Sequence, residues 1–221
     1  MFGRKKTLAL ISIGQSPRTD DIAAVLSEQF DVTEYGLLDG CTLEDAEARF
    51  GPVGGEPILR PRMRTGRPAV IAQRYIDDMM RDAVRIADEA HSDLIVPFCI
   101  SAFPDYESRA LFVKPFDVCR SFLYAVAKGS RVGIVMPDKR MELTLPEEFP
   151  ALDFRPFSVS PHMPDKQMEE ELRGMDFRGI DQFFLNCASF DRADKAVFRR
   201  VADKPVVLAR SVLEKALFEL A

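Results

Sequence analysis

Short apolar runs closed by glycine, proline or cysteine alternate along this chain with stretches whose apolar residues recur at helical spacing. Residues 7–13 form the first such run, end at Gly14 and read as a buried strand. A polar loop, residues 14–18, leads to a helix capped near Thr19 or Asp20, with Ile22, Val25 and Leu26 on one face. Residues 31–37 read as a second strand, and Thr42 with Asp45 as a capping box opening a short helix. A long helix is predicted over 73–90, because Ile76, Met79, Met80, Ala83, Val84 and Ala87 keep one face. Further strands are predicted over 93–99, 111–113, 131–136, 152–159, 181–187 and 205–208. Helices are predicted from a cap at Asp117 to about 128, over 165–173, over 191–202, and at the end of the chain behind a Ser211/Glu214 capping box.

Strands alternating with helices argue for an α/β fold with parallel sheets. The order also repeats. A strand with a polar loop is followed later by an aspartate, an apolar strand and a Cys-x-Ser element, once through Cys99 and Ser101 and again through Cys187 and Ser189. The polar loop 137–140 follows its strand as 15–18 follows the first. Residues 51–68 break the rhythm with four glycines, four prolines and four arginines (Arg60, Arg62, Arg64 and Arg67), which reads as a hairpin or lid. Those arginines form either an anion-binding patch or a solvated loop.

Length and charge narrow the classes. At 221 residues the chain suits two compact lobes sharing one cleft. A net charge of -5 argues against general affinity for nucleic acid or anionic membrane. No apolar run reaches the ~18–20 residues of a membrane span. The apolar stretch after the basic first residues is too short for a signal peptide and lacks a cleavage site, so a reducing, cytoplasmic setting without disulfides is expected. There is no Cys-x-x-Cys, and the two histidines are His91 and His162, which gives a metal site little to work with.

The chemistry then rests on thiols. Cys99 and Cys187 both stand where an apolar strand runs out, the edge at which open parallel sheets bind ligands. Amides of the following turn and helix would favour a thiolate there and lower the pKa from its usual value of about 8.5. Two such thiols can act as a pair without metal or cofactor: one removes a proton from a carbon, the other returns a proton to its opposite face. Donors must hold a carboxylate and take up the enolate charge, and Ser101, Ser189, Asn186 and the backbone of Gly14, Gln15, Ser16 and the rest of the 14–18 loop are candidates. Each cysteine can equally be a small buried hydrophobe. Arg18 either clamps a substrate carboxylate or is a solvated charge. Asp105 and Asp191 follow the two cysteines closely, as auxiliary bases or as helix caps. Cys119 reads as helix packing, Cys41 as incidental and the Met79–Met80 pair as core.

The segment Ile11-Ser-Ile-Gly-Gln-Ser-Pro-Arg18 with Asp21 resembles the N-terminal signature of the AroM-like family. So do Gly36-Leu-Leu-Asp-Gly40, Arg62-Met-Arg-Thr-Gly66, Cys99 with Phe103 and Pro104, Asn186-Cys187, and the run from Pro205 to Leu208. The resemblance covers nearly the whole chain and relates it to the aspartate/glutamate/hydantoin racemase superfamily. It implies two pseudo-symmetric, doubly wound α/β lobes with parallel sheets and a cleft between them. The first lobe would be 1–115 plus a C-terminal return at 206–221, the second 116–205. It also implies cofactor-independent chemistry next to a carboxylate, and allows a homodimer. The superfamily's Asn-Thr after the first cysteine is Ile100-Ser101 here, its Gly-Cys-Thr is Asn186-Cys187-Ala188, and its Asp-Ser pair in the first loop is Gln15-Ser16. The acid/base pair therefore carries over better than the substrate.

Three functions follow as expectations. One is a racemase- or epimerase-like isomerase using both thiols, with Gly14, Gln15, Ser16, Arg18, Ser101, Asn186 and Ser189 around a small carboxylate substrate. Another is a decarboxylase or cis-trans isomerase using one thiol on the same scaffold. The third is a non-catalytic protein that binds a small carboxylate.

Overall fold

The structure, a computed structural model, describes residues 4–18, 20–161 and 163–221. The helix cap expected at Thr19 lies outside the described residues. The chain divides into two units, Met1–Pro115 with Leu217–Ala221, and Phe116–Ala216.

The first unit runs β1 (Thr7–Ser12), α1 (Ile22–Ser27), β2 (Asp31–Gly36), α2 (Leu43–Phe50), β3 (Ile58–Leu59), β4 (Ile71–Ala72), a 3-10 turn at Gln73–Tyr75, α3 (Ile76–Glu89), β5 (Leu94–Pro97) and β6 (Leu111–Phe112). Its sheet has the order β2-β1-β5-β6, all parallel. The chain continues through α4 (Pro115–Val126). The second unit follows with β7 (Val132–Met136), a 3-10 turn at Lys139–Thr144, α5 (Leu145–Glu148), β8 (Phe154–Ser158), α6 (Asp165–Arg173), β9 (Gln182–Leu185), α7 (Arg192–Ala202), β10 (Val206–Leu208) and α8 (Ala209–Phe218). Its sheet has the order β8-β7-β9-β10, again parallel. Leu8, Ala9, Leu10 and Ile11 of β1 are no more than 1% exposed, as a parallel strand covered on both faces requires.

The two sheets share one topology, and their hydrogen bonds repeat it. At the amino edge, Asp93 Oδ2 accepts from the Thr7 amide at 2.8 Å, and Asp181 Oδ2 accepts from the Arg131 amide at 2.7 Å. At the carboxyl edge, the Phe98 amide donates to Ile11 O at 2.7 Å, and the Asn186 amide donates to Val135 O at 3.0 Å. Leu37 N to Ser12 O and Val159 N to Met136 O, both 3.0 Å, complete the correspondence. Each unit therefore orders its first and third strands by the same contacts. The aspartate before each cysteine strand anchors that strand's start, which gives the repeated sequence pattern its physical content.

Three expectations change. The return to the first unit comes at residue 217 and not 206, because β10 pairs with β9 in the second sheet. The last helix begins at Ala209, so Ser211 lies inside it, and Glu214 pairs with Arg210 and Arg192 instead of closing a capping box. α4 begins at Pro115, which is favourable in a first turn, so Asp117 sits within that turn and pairs with Arg120. The hairpin expected in residues 51–68 is present and closes just past that segment: β3 pairs antiparallel with β4, and Arg62 bridges to Pro68 between them. The Thr42/Asp45 capping box is present as read.

Candidate functional site

Cys99 and Cys187 occupy equivalent places. Each lies two residues beyond the strand that neighbours the central one, β5 or β9, at the carboxyl edge of its sheet. Their surroundings differ. Cys99 is 9% exposed, and its thiol lies 3.3 Å from the Ser101 hydroxyl, itself buried. Cys187 is half-buried, and its sulfur accepts from the Ser189 amide at 3.4 Å.

No helix starts directly behind Cys99, contrary to the sequence expectation. Residues 98–110 bend and run irregularly to β6, so turn amides and not a helix start follow this thiol. Behind Cys187 a helix does start, but its first amides are engaged: Asp191 Oδ1 accepts from Ala193 N and Asp194 N at 2.7 and 3.0 Å. Asp191 is thus the cap of α7 in a full capping box with Asp194. Asp105 caps nothing; it is an exposed partner of Lys114. The turn amide of Ser189 remains the donor at the second sulfur.

The 14–18 loop, expected to offer its backbone to substrate, has its amides engaged internally. Gly14 N donates to Ser12 Oγ at 3.2 Å, Gln15 N to Arg62 O at 3.2 Å, Ser16 N to Asp39 Oδ1 at 2.9 Å and Arg18 N to Glu34 Oε2 at 2.8 Å, while Pro17 has no N–H. The side chains are engaged too. Gln15 Nε2 donates to the carbonyls of Leu38 and Cys41, and its Oε1 accepts from Arg64 N. Ser16 Oγ donates to Asp39 Oδ2, and Arg64 reaches the Ser16 carbonyl and Asp39 Oδ1. Gln15 and Ser16 therefore build this loop and dock the hairpin arm on it. By contrast, the amides of Ile100, Ser101 and Ala188, just after the two cysteines, donate to no acceptor among the described residues.

Glycine is required where these segments meet. A Cβ on Gly14 would lie 2.1 Å from Arg62 O, and one on Gly36 would lie 2.5 Å from Ser16 N.

Arg18 is buried, its side chain 7% exposed. Its Nε and Nη2 donate to Asp20, Nη1 donates to Ser12 Oγ at 3.3 Å, and the guanidinium stacks 4.5 Å from the centre of the Phe98 ring. It is neither a solvated charge nor an open clamp; it ties the loop after β1 to the residue preceding Cys99. Arg140 is held in a comparable way by Asp138 in the second unit.

In that unit, Asn186 is 1% exposed. Its Nδ2 meets Met136 Sδ at 3.4 Å, and its Oδ1 has no hydrogen-bond partner. Cys119 packs in α4, donates to Ala209 O at 3.4 Å, and has its thiol pushed up to about 12 by burial. Among the described residues, no group of three or more His, Cys, Asp or Glu side chains could hold a metal ion. None of the described helices is long and apolar enough to cross a membrane.

The family model described as AroM protein matches residues 8–221. The chain belongs to the AroM family. Among curated proteins, none matches it. Solved structures share the fold of this AroM chain at low identity. The aspartate racemase of Picrophilus torridus is 13% identical, with 97% of this chain and 93% of that one covered at a TM-score of 0.60. The maleate isomerase from Pseudomonas putida S16 is 13% identical, with coverage of 98% and 93% and a TM-score of 0.62. An unliganded arylmalonate decarboxylase is 13% identical, with coverage of 96% and 91% and a TM-score of 0.55. The AroM chain thus shares its α/β fold with these three enzymes.

Sequence reading missed Asp39, the hub of the AroM chain's first loop. It accepts from Ser16 N, Ser16 Oγ, Gly36 N and Arg64. The signal was its place in the Gly36–Gly40 motif, noted there as a resemblance without a role.

Proposed function

We propose that this protein is a cofactor-independent, racemase- or epimerase-like isomerase in which Cys99 and Cys187 move protons at a carbon next to a carboxylate. The observation that carries this reading is the equivalence of the two thiols, two residues past corresponding strands of sheets with one topology. One thiolate takes the proton from the carbon, and the electron pair passes into the carboxylate as an enolate. The other thiol gives its proton to the same carbon from the opposite face, so the two cysteines exchange states each turnover. The amides of Ile100, Ser101 and Ala188 are the donors best suited to the developing charge, and Asn186 Nδ2, held now by the weak contact to Met136 Sδ, is a further one. The substrate is a small carboxylate and the setting the cytoplasm.

A second reading has one specific support. The two thiols differ in surroundings: Cys99 is buried beside a hydroxyl, and Cys187 is more open beside an amide. A decarboxylation or cis-trans isomerisation would use only one of them.

The test is proton exchange in D₂O with a panel of small chiral α-substituted carboxylic acids, followed by NMR. Wild type should place deuterium at the α carbon of its substrate and racemise it. Cys99→Ala and Cys187→Ala should each stop racemisation. Retained turnover in one single variant favours the one-thiol reading, and retained turnover in the double variant refutes both.

A further inference from the structure

We infer that the cleft at the end of α7, within the second unit, is a binding site for a small molecule carrying two or more phosphoryl groups. The inference is independent of the proposed reaction, because the cleft lies at the opposite edge of its sheet from Cys187.

That placement follows from the strands. β10 is parallel to β9, with Val206 beside Phe183 and Leu208 beside Leu185, and Cys187 stands past the carboxyl end of β9. Lys204 and Pro205, which line the cleft, lead into the amino end of β10. The 11 residues of α7 run from one edge to the other and put ~16 Å of helix between Cys187 and the cleft.

The cleft holds about 680 Å³, within the range of small-molecule sites and well beyond one phosphate. Lys195, Arg199, Arg200 and Lys204 line it together with one carboxylate, Asp203. Arg200 reaches Glu169 at 3.3 Å, but the same Glu169 oxygen also accepts from Arg173 at 3.0 Å. Among the described residues, Lys195, Arg199 and Lys204 have no carboxylate at ion-pair distance. A chain of net charge -5 thus gathers uncompensated cations at one place. Lys195 is half-buried, and burial, with the charges of Arg199 and Lys215, holds its ammonium below the usual lysine range. Cations set this close repel one another in the empty protein, and a bound polyanion removes that cost.

Helix chemistry accounts for only part of the cluster. Arg199 and Arg200 stand in the last turn of α7, where cations suit the helix dipole. Lys195 lies one turn earlier and Lys204 beyond the helix end, yet both face the same cleft. Residues four apart on a helix have Cβ atoms ~5–6 Å from each other, so one phosphoryl group can sit across Lys195 and Arg199. That leaves Arg200 and Lys204 for a second. Ala196, Pro205 and Val206 supply apolar wall for the rest of the ligand. The negative charge of the whole chain works against a long polyanion and favours a small one.

The experiment is isothermal titration calorimetry of the full chain with tripolyphosphate, a nucleoside triphosphate, inorganic phosphate and a short DNA duplex, at low and at physiological salt. Saturable one-to-one binding of both triphosphates is expected, weakening as salt rises, with inorganic phosphate about tenfold weaker or more because it meets fewer cations. Tighter binding of the nucleoside triphosphate assigns its organic body to the apolar wall; equal binding assigns recognition to the phosphoryl groups. Lys195→Gln, Arg199→Gln and Lys204→Gln should each weaken binding about two- to fivefold, the range of exposed ion pairs, and the triple variant about tenfold or more. Arg81→Gln/Arg85→Gln, on α3 of the first unit, should leave binding unchanged. Thermal unfolding shows whether the triple variant is folded, and the single variants carry the test if it is not. No saturable heat with either triphosphate at low salt, folded variants that bind like wild type, an equal loss in the α3 variant, or preference for the duplex overturns the inference.

Discussion

The carbonyl oxygen of Arg62 occupies the place that a side chain on Gly14 would need, 2.1 Å from where its Cβ would stand. The loop after β1 and the hairpin arm are therefore one packed unit, closed by Gln15 N donating to that carbonyl. Gly14→Ala should force the arm away and cost about 1–3 kcal/mol of stability, as overpacking does. Urea unfolding measures it. A variant as stable as wild type would mean that the arm is not fixed by this contact.

The four cysteines should separate by reactivity. Cys119 is 1% exposed, and burial raises its thiol to about 12. At pH 8 it holds on the order of a thousandfold less thiolate than an ordinary cysteine near 8.5. Iodoacetamide followed by peptide mass spectrometry should leave Cys119 unmodified until the protein is unfolded in urea. Labelling of Cys119 in the native protein at the rate of a simple thiol would contradict its packing.

The scaffold was legible because periodicity reports burial. The runs at 7–13, 131–136 and 181–187 contain β1, β7 and β9, and the repeat Asp-strand-Cys-x-Ser marked equivalent strands. Helix starts were less legible. Ser211 and Asp117 fit cap patterns, yet both lie inside helices that begin two residues earlier, since Ala209 and Pro115 can open a helix without a side-chain cap. The loop's internal contacts were not legible for a physical reason. Gln15, Ser16 and Arg18 are polar types that suit a ligand, but spacing does not show that Asp39, Arg64 and Asp20 meet them first.

Asp194 should make stability fall as pH rises through the mildly acidic range. It is 6% exposed, and burial, with help from the charges of Asp191 and Asp165, raises its carboxyl from 3.8 to about 7. Between those values the unfolded chain gives up this proton while the folded chain keeps it, so the charged group disfavours folding as pH increases. The loss begins near pH 4, is complete just above 7, and amounts to at most about 4 kcal/mol. Asp194→Asn keeps an oxygen for the Asp191 amide, which donates to Asp194 Oδ2 at 2.8 Å. It should flatten this part of the profile and be the more stable protein at pH 8. Urea midpoints across pH 4–8 decide; parallel profiles for the two proteins would refute the assignment.

Asn186 should separate stability from function. Its buried Oδ1 has no partner, and its Nδ2 has only the weak contact to Met136 Sδ. A buried amide with an unmet acceptor contributes little to folding, and an apolar group of the same shape removes the penalty. Asn186→Leu should therefore be neutral or more stable by up to about 1 kcal/mol. The same change removes the polar group beside Cys187, so turnover of any substrate found should fall at least about tenfold, the equivalent of one hydrogen bond to a charged group. Asn186→Asp should instead destabilise by about 3–5 kcal/mol above pH 5, since it buries a carboxylate without a counter-ion. Thermal unfolding and steady-state kinetics on the three proteins check both halves. If Asn186→Leu is destabilised by more than about 2 kcal/mol, the amide supports the fold. If its turnover is intact, the amide holds no substrate.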